Sequence, residues 1–261
     1  MSDLYYDVSG AGPVLLILPG GAGHPMGLEP LTERLAQRFT VVVHDPLGLA
    51  HGRLGQPVAD QRVEEWSERA HRVLDAVLPA GESAYVLGTS AGGVVALDLA
   101  ARRPGRLRHV VAHEPPCVTA LPDGEHQRAL FGQVYDAYRT AGPQAAGALL
   151  SAVLTGAPTG EVPGGRPLSP AEEAGSPMAL FLAHVLRPFT SYAPPAGPAR
   201  VPLTLAAGAD SAGQLLHRTA ALLAERCGGE FAEFPGGHIG VVERPEAFAD
   251  RLAEVLGAPA R

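Results

Sequence analysis

Apolar residues recur along this chain in two rhythms. Short unbroken runs, "VLLIL" at 14–18 and "FTVVVH" at 39–44, have the length and composition of strands buried on both faces. Between such runs the apolar positions return every three or four residues. "LEPLTERLAQRF" (28–39) carries leucines at helical spacing. "DQRVEEWSERAHRVLDAVL" (60–78) gathers Val63, Trp66, Ala70, Val73, Leu74 and Val77 on one side, with charges opposite. "SAYVLGTS" then predicts a strand, "AGGVVALDLAARR" a helix and "RLRHVVAHEPP" (106–116) a further strand. Strands separated by helices imply parallel strands joined by crossovers, hence an α/β fold: a mostly parallel sheet flanked by helices.

The alternation stops after Pro116. Residues 117–198 predict helices at "GEHQRALFGQVYDAYRTAG", "PQAAGALLSAVLTG" and "SPMALFLAHVLRPF", parted by Pro/Gly-rich linkers such as "GAPTGEVPGGRPLSP". Strand and helix alternate again from "RVPLTLAAGAD" (200–210), through "GQLLHRTAALLAERCG" and "EFAEFPGG", to the closing helix "RPEAFADRLAEVLG" (244–257). The division that follows is a sheet domain built from 1–116 and 199–261, interrupted by a mostly helical cap, 117–198.

Composition narrows the chemistry. The chain has 261 residues and a net charge of −7, and all 20 of its Lys/Arg positions are arginine. Without lysine there is no internal Schiff base and no P-loop lysine. No basic run points to nucleic acid. No apolar run approaches the roughly 18–20 residues of a membrane span, and the N-terminus lacks the pattern of a leader. The expectation is a cytoplasmic protein, a monomer or small homo-oligomer, with a small molecule as its partner. Cys117 and Cys227 form no ligand-spaced cluster, and His44-Asp45 lacks further ligands nearby, so no metal is expected.

One stretch concentrates the chemical signal. Gly88-Thr89-Ser90-Ala91-Gly92 fits G-x-S-x-G between a predicted strand and a predicted helix. So sharp a turn brings the residues two before and two after the serine together, which favours glycine at both. A plain helix N-cap is the structural alternative for Ser90. A nucleophilic serine needs a base, and the base needs an orienting acid. His238 stands in a glycine-flanked loop past the last predicted strand, and Asp210 past the strand before it. The order serine, acid, histidine is that of a hydrolase triad. Glu114, at the end of the strand preceding the insert, is the alternative acid; its other expected role, with His113, is to anchor the base of the insert.

On these residues the chain resembles the α/β-hydrolase family over almost its whole length, most closely at 13–116 and 200–257. "LLILPGGAG" is similar to the family's strand and His-Gly loop that forms half of the oxyanion hole, with Pro19-Gly20 in place of His-Gly. The resemblance places one donor amide at Gly21, with Ala22 the alternative, and the second at Ala91. "DPLGLAHGR" (45–53) resembles the family's Asp-x-Arg-Gly-x-Gly-x-Ser loop imperfectly, with Leu47, Ala50 and Gly52 as departures. His51 in that loop and Phe181 in the insert are expected to line the substrate pocket. The implied function is a cofactor-free serine hydrolase cleaving an ester, lactone or thioester of a small apolar molecule through an acyl-enzyme on Ser90. The same scaffold also hosts lyases, cyclases, acyltransferases and small-molecule binding proteins, which are the alternatives.

Overall fold

The structure is a computed structural model and describes residues 4–158, 160, 164–195 and 197–257. Parts of the linker 156–170 and of the N-terminal stretch lie outside the described residues.

Seven strands form one sheet in the order β1-β3-β2-β4-β5-β6-β7. They are β1 (Tyr6–Gly10), β2 (Val14–Leu18), β3 (Thr40–His44), β4 (Ala84–Thr89), β5 (Leu107–His113), β6 (Leu203–Gly208) and β7 (Glu230–Phe234). All neighbours are parallel except β1, which runs antiparallel to β3 with Tyr6 opposite His44. β1 is an addition to the pattern read from the sequence: its residues are mostly exposed, so no apolar run marks it.

The helices are α1 (Glu29–Leu35), α2 (Val63–Val77), α3 (Ala91–Arg102), α4 (Gly124–Ala141), α5 (Pro143–Thr155), α6 (Pro170–Ala174), α7 (Pro177–Leu180), α8 (Leu186–Thr190), α9 (Leu215–Cys227), α10 (Gly240–Glu243) and α11 (Pro245–Val255). Alternate strand residues point to opposite faces of the sheet. Leu16, Val42, Val86, Val110 and Leu205 pack with α2, α3 and α9, whereas Leu15, Val41, Leu87 and Val111 pack with α1 and α11. Because the inner strands β2 to β6 are covered on both sides, the sequence reads there as continuous apolar runs rather than as alternation.

Helices α4 to α8 stand between β5 and β6, and α4, α5, α7 and α8 share with the π-turn between the last two an apolar cluster in which Phe131, Val134, Tyr138 and Leu182 are almost fully buried. That cluster continues into Leu215 and Leu216 of α9, which seats the inserted helices on the sheet domain. The stretch expected as a helix across 176–189 is helical from Pro177 to Thr190, but a π-turn, Phe181–Val185, stands between α7 and α8. Proline supplies the reason. Pro188 has no N–H to give the carbonyl four residues back, that of His184. The freed carbonyl accepts the amide of Gln61 instead, at 3.0 Å, tying the insert to the segment before α2.

Candidate active site

Strand β4 lies where the sheet order reverses, with β2 and β3 on one side and β5 and β6 on the other. Crevices in parallel sheets open beyond the carboxyl ends of such strands, and Ser90 occupies that end of β4. Its φ is 50° and its ψ −117°, a strained conformation for a residue with a side chain. The surroundings enforce it. The Ser90 N–H donates to the His113 carbonyl at 2.8 Å, and the Ser90 carbonyl accepts from Gly93 and Val94. A Cβ on Gly92 would stand 1.9 Å from the Leu18 carbonyl oxygen, and one on Gly88 2.3 Å from that of Gly92. Only glycine fits either position. The hydroxyl makes no capping hydrogen bond to α3, so the N-cap alternative does not describe it.

His238 meets a carboxylate, and that carboxylate is Glu114. Its Oε2 accepts the His238 Nδ1 hydrogen at 2.7 Å. The other oxygen, Oε1, accepts from the Gly208 amide at 3.0 Å and from the Ser211 hydroxyl. Glu114 is 1% exposed and sits at φ +46°, a left-handed turn directly after β5, held by its amide on the Ala206 carbonyl at 2.9 Å. Burial alone would raise the carboxyl's pKa. The hydrogen bond and charge of His238, the Ser211 hydroxyl and the charge of His113 outweigh it and lower the pKa to about 2. A carboxylate only accepts, so Nδ1 carries the proton and Nε2 keeps its lone pair.

The expectation that Asp210 orients His238 is corrected by this geometry. Asp210 is exposed; its amide donates to the Gly236 carbonyl at 3.0 Å, and no hydrogen bond joins its carboxylate to His238. The 3₁₀ turn Ala209–Ser211 points position 210 outward and buries position 211, so a serine hydroxyl rather than an aspartate faces Glu114. Gly208 permits the docking of the histidine loop here, since a Cβ would lie 2.5 Å from the carbonyl oxygens of both Gly236 and Gly237. Sequence order alone could not separate two acids at the ends of adjacent strands, and nothing in it marked Ser211.

Ser90 and His238 both line a cavity of about 410 Å³, together with Gly21, Ala22 and Ala91. The loop after β2 is close: a Cβ on Gly20 would lie 3.2 Å from the Ser90 Cβ. Gly21 has φ +58° and Ala91 is the first residue of α3, where backbone amides lack intrahelical acceptors. The remaining walls are mostly apolar. The insert contributes Phe131, Leu150, Leu154, Met178, Phe181 and Phe189. Met26, Ile239 and Val242 add exposed apolar surface near the opening. These three, and His24 beside them, were missed because isolated residues in loops or in a single helical turn carry no periodicity.

His51 does not reach this cavity, which corrects the second pocket expectation. Its Nδ1 lies 2.9 Å from Asp45 Oδ2, and its ring packs on Tyr5 with centroids 5.7 Å apart. Asp45 also accepts the amides of Leu49 and Ala50, at 2.9 and 2.8 Å, so the 45–53 loop is organised around a buried carboxylate. His44 is buried; burial, then the charge of Arg69, lowers its pKa to about 3. No group of three metal-ligating side chains occurs among the described residues, and no helix there is long and apolar enough to cross a membrane.

Known proteins place this geometry in context. The chain is 28% identical to YraK of Bacillus subtilis, an uncharacterized hydrolase, over 98% of this chain and 93% of that one. Among solved structures it is similar to MGS-M2, an alpha/beta hydrolase enzyme from a Medee basin deep-sea metagenome library. The TM-score is 0.71 and the identity 13%, covering 99% of this chain and 95% of that one. It is also similar to the enol-lactonase of Burkholderia xenovorans, with a TM-score of 0.58 and 17% identity over 97% and 96% of the two chains. Likeness at such identity speaks for the fold alone; the sequence model of one family matches residues 14–251, and the chain accordingly belongs to the alpha/beta hydrolase family.

Proposed function

We propose that the chain is a serine hydrolase that cleaves an ester, lactone or thioester bond of a small apolar molecule. One observation carries the reading: a histidine whose Nδ1 is held by a buried carboxylate at 2.7 Å shares an apolar cavity with a serine on a strained strand-to-helix turn. In this reading Ser90 Oγ attacks the carbonyl carbon while His238 Nε2 takes its proton. Glu114 keeps the imidazole in the required tautomer and balances the imidazolium. The amides of Gly21 and Ala91 receive the developing oxyanion, a contribution of typically several kcal/mol to barrier lowering. His238 then gives the proton to the leaving oxygen or sulfur. A water activated by the same histidine attacks the acyl carbon and releases Ser90.

The inserted helices act in this scheme as a cap that supplies the apolar walls. Burying a methylene there is worth about 0.8 kcal/mol, so the cavity selects acyl groups with hydrocarbon surface. The test is covalent labelling by a fluorophosphonate, read by intact mass and peptide mapping. Labelling of the wild type at Ser90, absent in Ser90→Ala, is expected. An unlabelled wild type, or equal labelling of Ser90→Ala, would overturn the proposal.

A further inference from the structure

Among the described residues that line the cavity, nitrogen- and oxygen-bearing side chains other than those of Ser90 and His238 are Thr89, Thr190 and His24. Thr190 donates its hydroxyl to the Leu186 carbonyl at 2.8 Å. Thr89 ends β4 at the base of the elbow, 3.6 Å from where a Gly20 Cβ would stand. His24 differs from both. It is half-buried in the loop that follows Gly21, and its Nδ1 accepts the Met26 amide hydrogen at 3.0 Å. A ring nitrogen that accepts bears no proton, so in the neutral ring the hydrogen is on Nε2. Nε2 has no hydrogen-bond partner among the described residues. A donor is therefore fixed, by a backbone contact, at an otherwise apolar site.

The packing of this loop gives the donor its side of the reaction. A Cβ on Gly27 would lie 3.6 and 3.7 Å from the two methyl groups of Val242, so the 24–27 loop rests on α10. That helix begins two residues after His238, the group that returns a proton to the leaving atom in the reading above. Resting on that reading, we infer that His24 is a specificity residue whose Nε2–H bonds the leaving group. The alcohol released then carries an oxygen acceptor close to the scissile bond rather than a plain hydrocarbon chain. Against an all-carbon leaving group the donor loses its water without a replacement; against an ether or carbonyl oxygen it is satisfied. Sites built around such a donor discriminate against analogues that lack the acceptor.

Two esters of one acid test this: 2-methoxyethyl hexanoate and butyl hexanoate, matched in size and differing by one oxygen. The readout is the ratio of their kcat/KM values in each protein, so that intrinsic leaving-group reactivity cancels between variants. His24→Leu is expected to lower the wild-type preference for the methoxyethyl ester by roughly three- to tenfold, the span of one neutral hydrogen bond. His24→Gln, whose amide nitrogen reaches the place of Nε2, should keep the preference. His24→Asn, which still accepts the Met26 amide at the place of Nδ1 but lacks the reach, should lose it. An unchanged ratio in His24→Leu, or a preference preserved by Asn and lost in Gln, would overturn the assignment while leaving the hydrolase intact. Turnover of neither ester by wild type also overturns it, and absent fluorophosphonate labelling of Ser90 in the same sample would show that the underlying hydrolase reading had failed as well.

Discussion

Glu114 and His238 are 124 residues apart in sequence, yet they share a 2.7 Å hydrogen bond between the ends of β5 and β7. Asp210, the residue that sequence order favoured for this contact, points to solvent two residues beyond β6. The consequence is a paired mutagenesis outcome. Glu114→Gln leaves the shape but presents a side chain able to stabilise the wrong imidazole tautomer, and is expected to lower kcat by roughly 10³–10⁴. Asp210→Asn is expected to stay within about threefold of wild type. Hydrolysis of a p-nitrophenyl ester by the two variants, with circular dichroism to verify folding, distinguishes the acids.

Buried titrating groups set the acid limit of stability. His113 and His44 are buried, and burial lowers their pKa values from 6.5 to about 4 and about 3. Below 6.5 the unfolded chain binds protons that the folded chain refuses, so stability falls as pH falls from 6.5 toward 4 and 3. Glu114 acts in a lower window. Its pKa is held at about 2 against 4.5 when unpaired, so its stabilisation is present above 4.5 and lost as pH falls toward 2. That loss is on the order of 3 kcal/mol. Urea unfolding at stepped pH is expected to show two successive declines. His113→Phe should flatten the first, because it removes a buried titrating ring whose two nitrogens have no partner among the described residues and keeps the edge packing on Phe248.

The sheet was legible because its strands are buried on both faces: Leu15 to Leu18, Val41 to Val43 and Val110 to Ala112 form unbroken apolar runs. The elbow was legible because the crowding at Gly88 and Gly92 leaves no room for any other residue. β1 was not, since an edge strand exposed along most of its length needs no apolar pattern. The choice of acid was not legible for a geometric reason. β5 and β6 are adjacent and in register, His113 beside Ala206, so acids just past either strand stand at the same edge of the sheet. The left-handed turn at Glu114 and the outward 3₁₀ turn at Asp210 decide between them, and neither leaves a mark in residue type. His51 was misplaced because the carboxylate of Asp45, six residues back, folds the loop onto itself.

The volume and lining of the cavity predict an acyl-length profile. Across p-nitrophenyl esters from acetate upward, kcat/KM should rise about three- to fourfold per methylene while hydrocarbon wall remains to be covered. The rise should end once a chain fills the cavity of about 410 Å³. Leu154→Trp, which adds bulk from α5 into that space, should move the optimum to shorter acyl groups and leave the acetate rate within about twofold. A profile flat in chain length would remove the apolar-acyl reading.

Two glycine-to-alanine substitutions should have opposite signs. At Gly92 the added methyl meets the Leu18 carbonyl oxygen at 1.9 Å and that of Pro19 at 2.7 Å, backbone atoms of a central strand and of the loop that follows it. Neither can retreat without disturbing β2 or the amide of Gly21. Gly92→Ala is therefore expected to cost several kcal/mol or to prevent folding. Gly147 lies within α5, where no described residue outside its own turn of helix comes within 4 Å of its missing Cβ, and its backbone is ordinary helix. There alanine removes conformational freedom from the unfolded chain and meets no obstacle. Gly147→Ala should add about 0.5–1 kcal/mol of stability. Denaturant midpoints at neutral pH measure both, and a Gly92→Ala protein with wild-type midpoint would show that the turn at Ser90 is less crowded than the 1.9 Å approach requires.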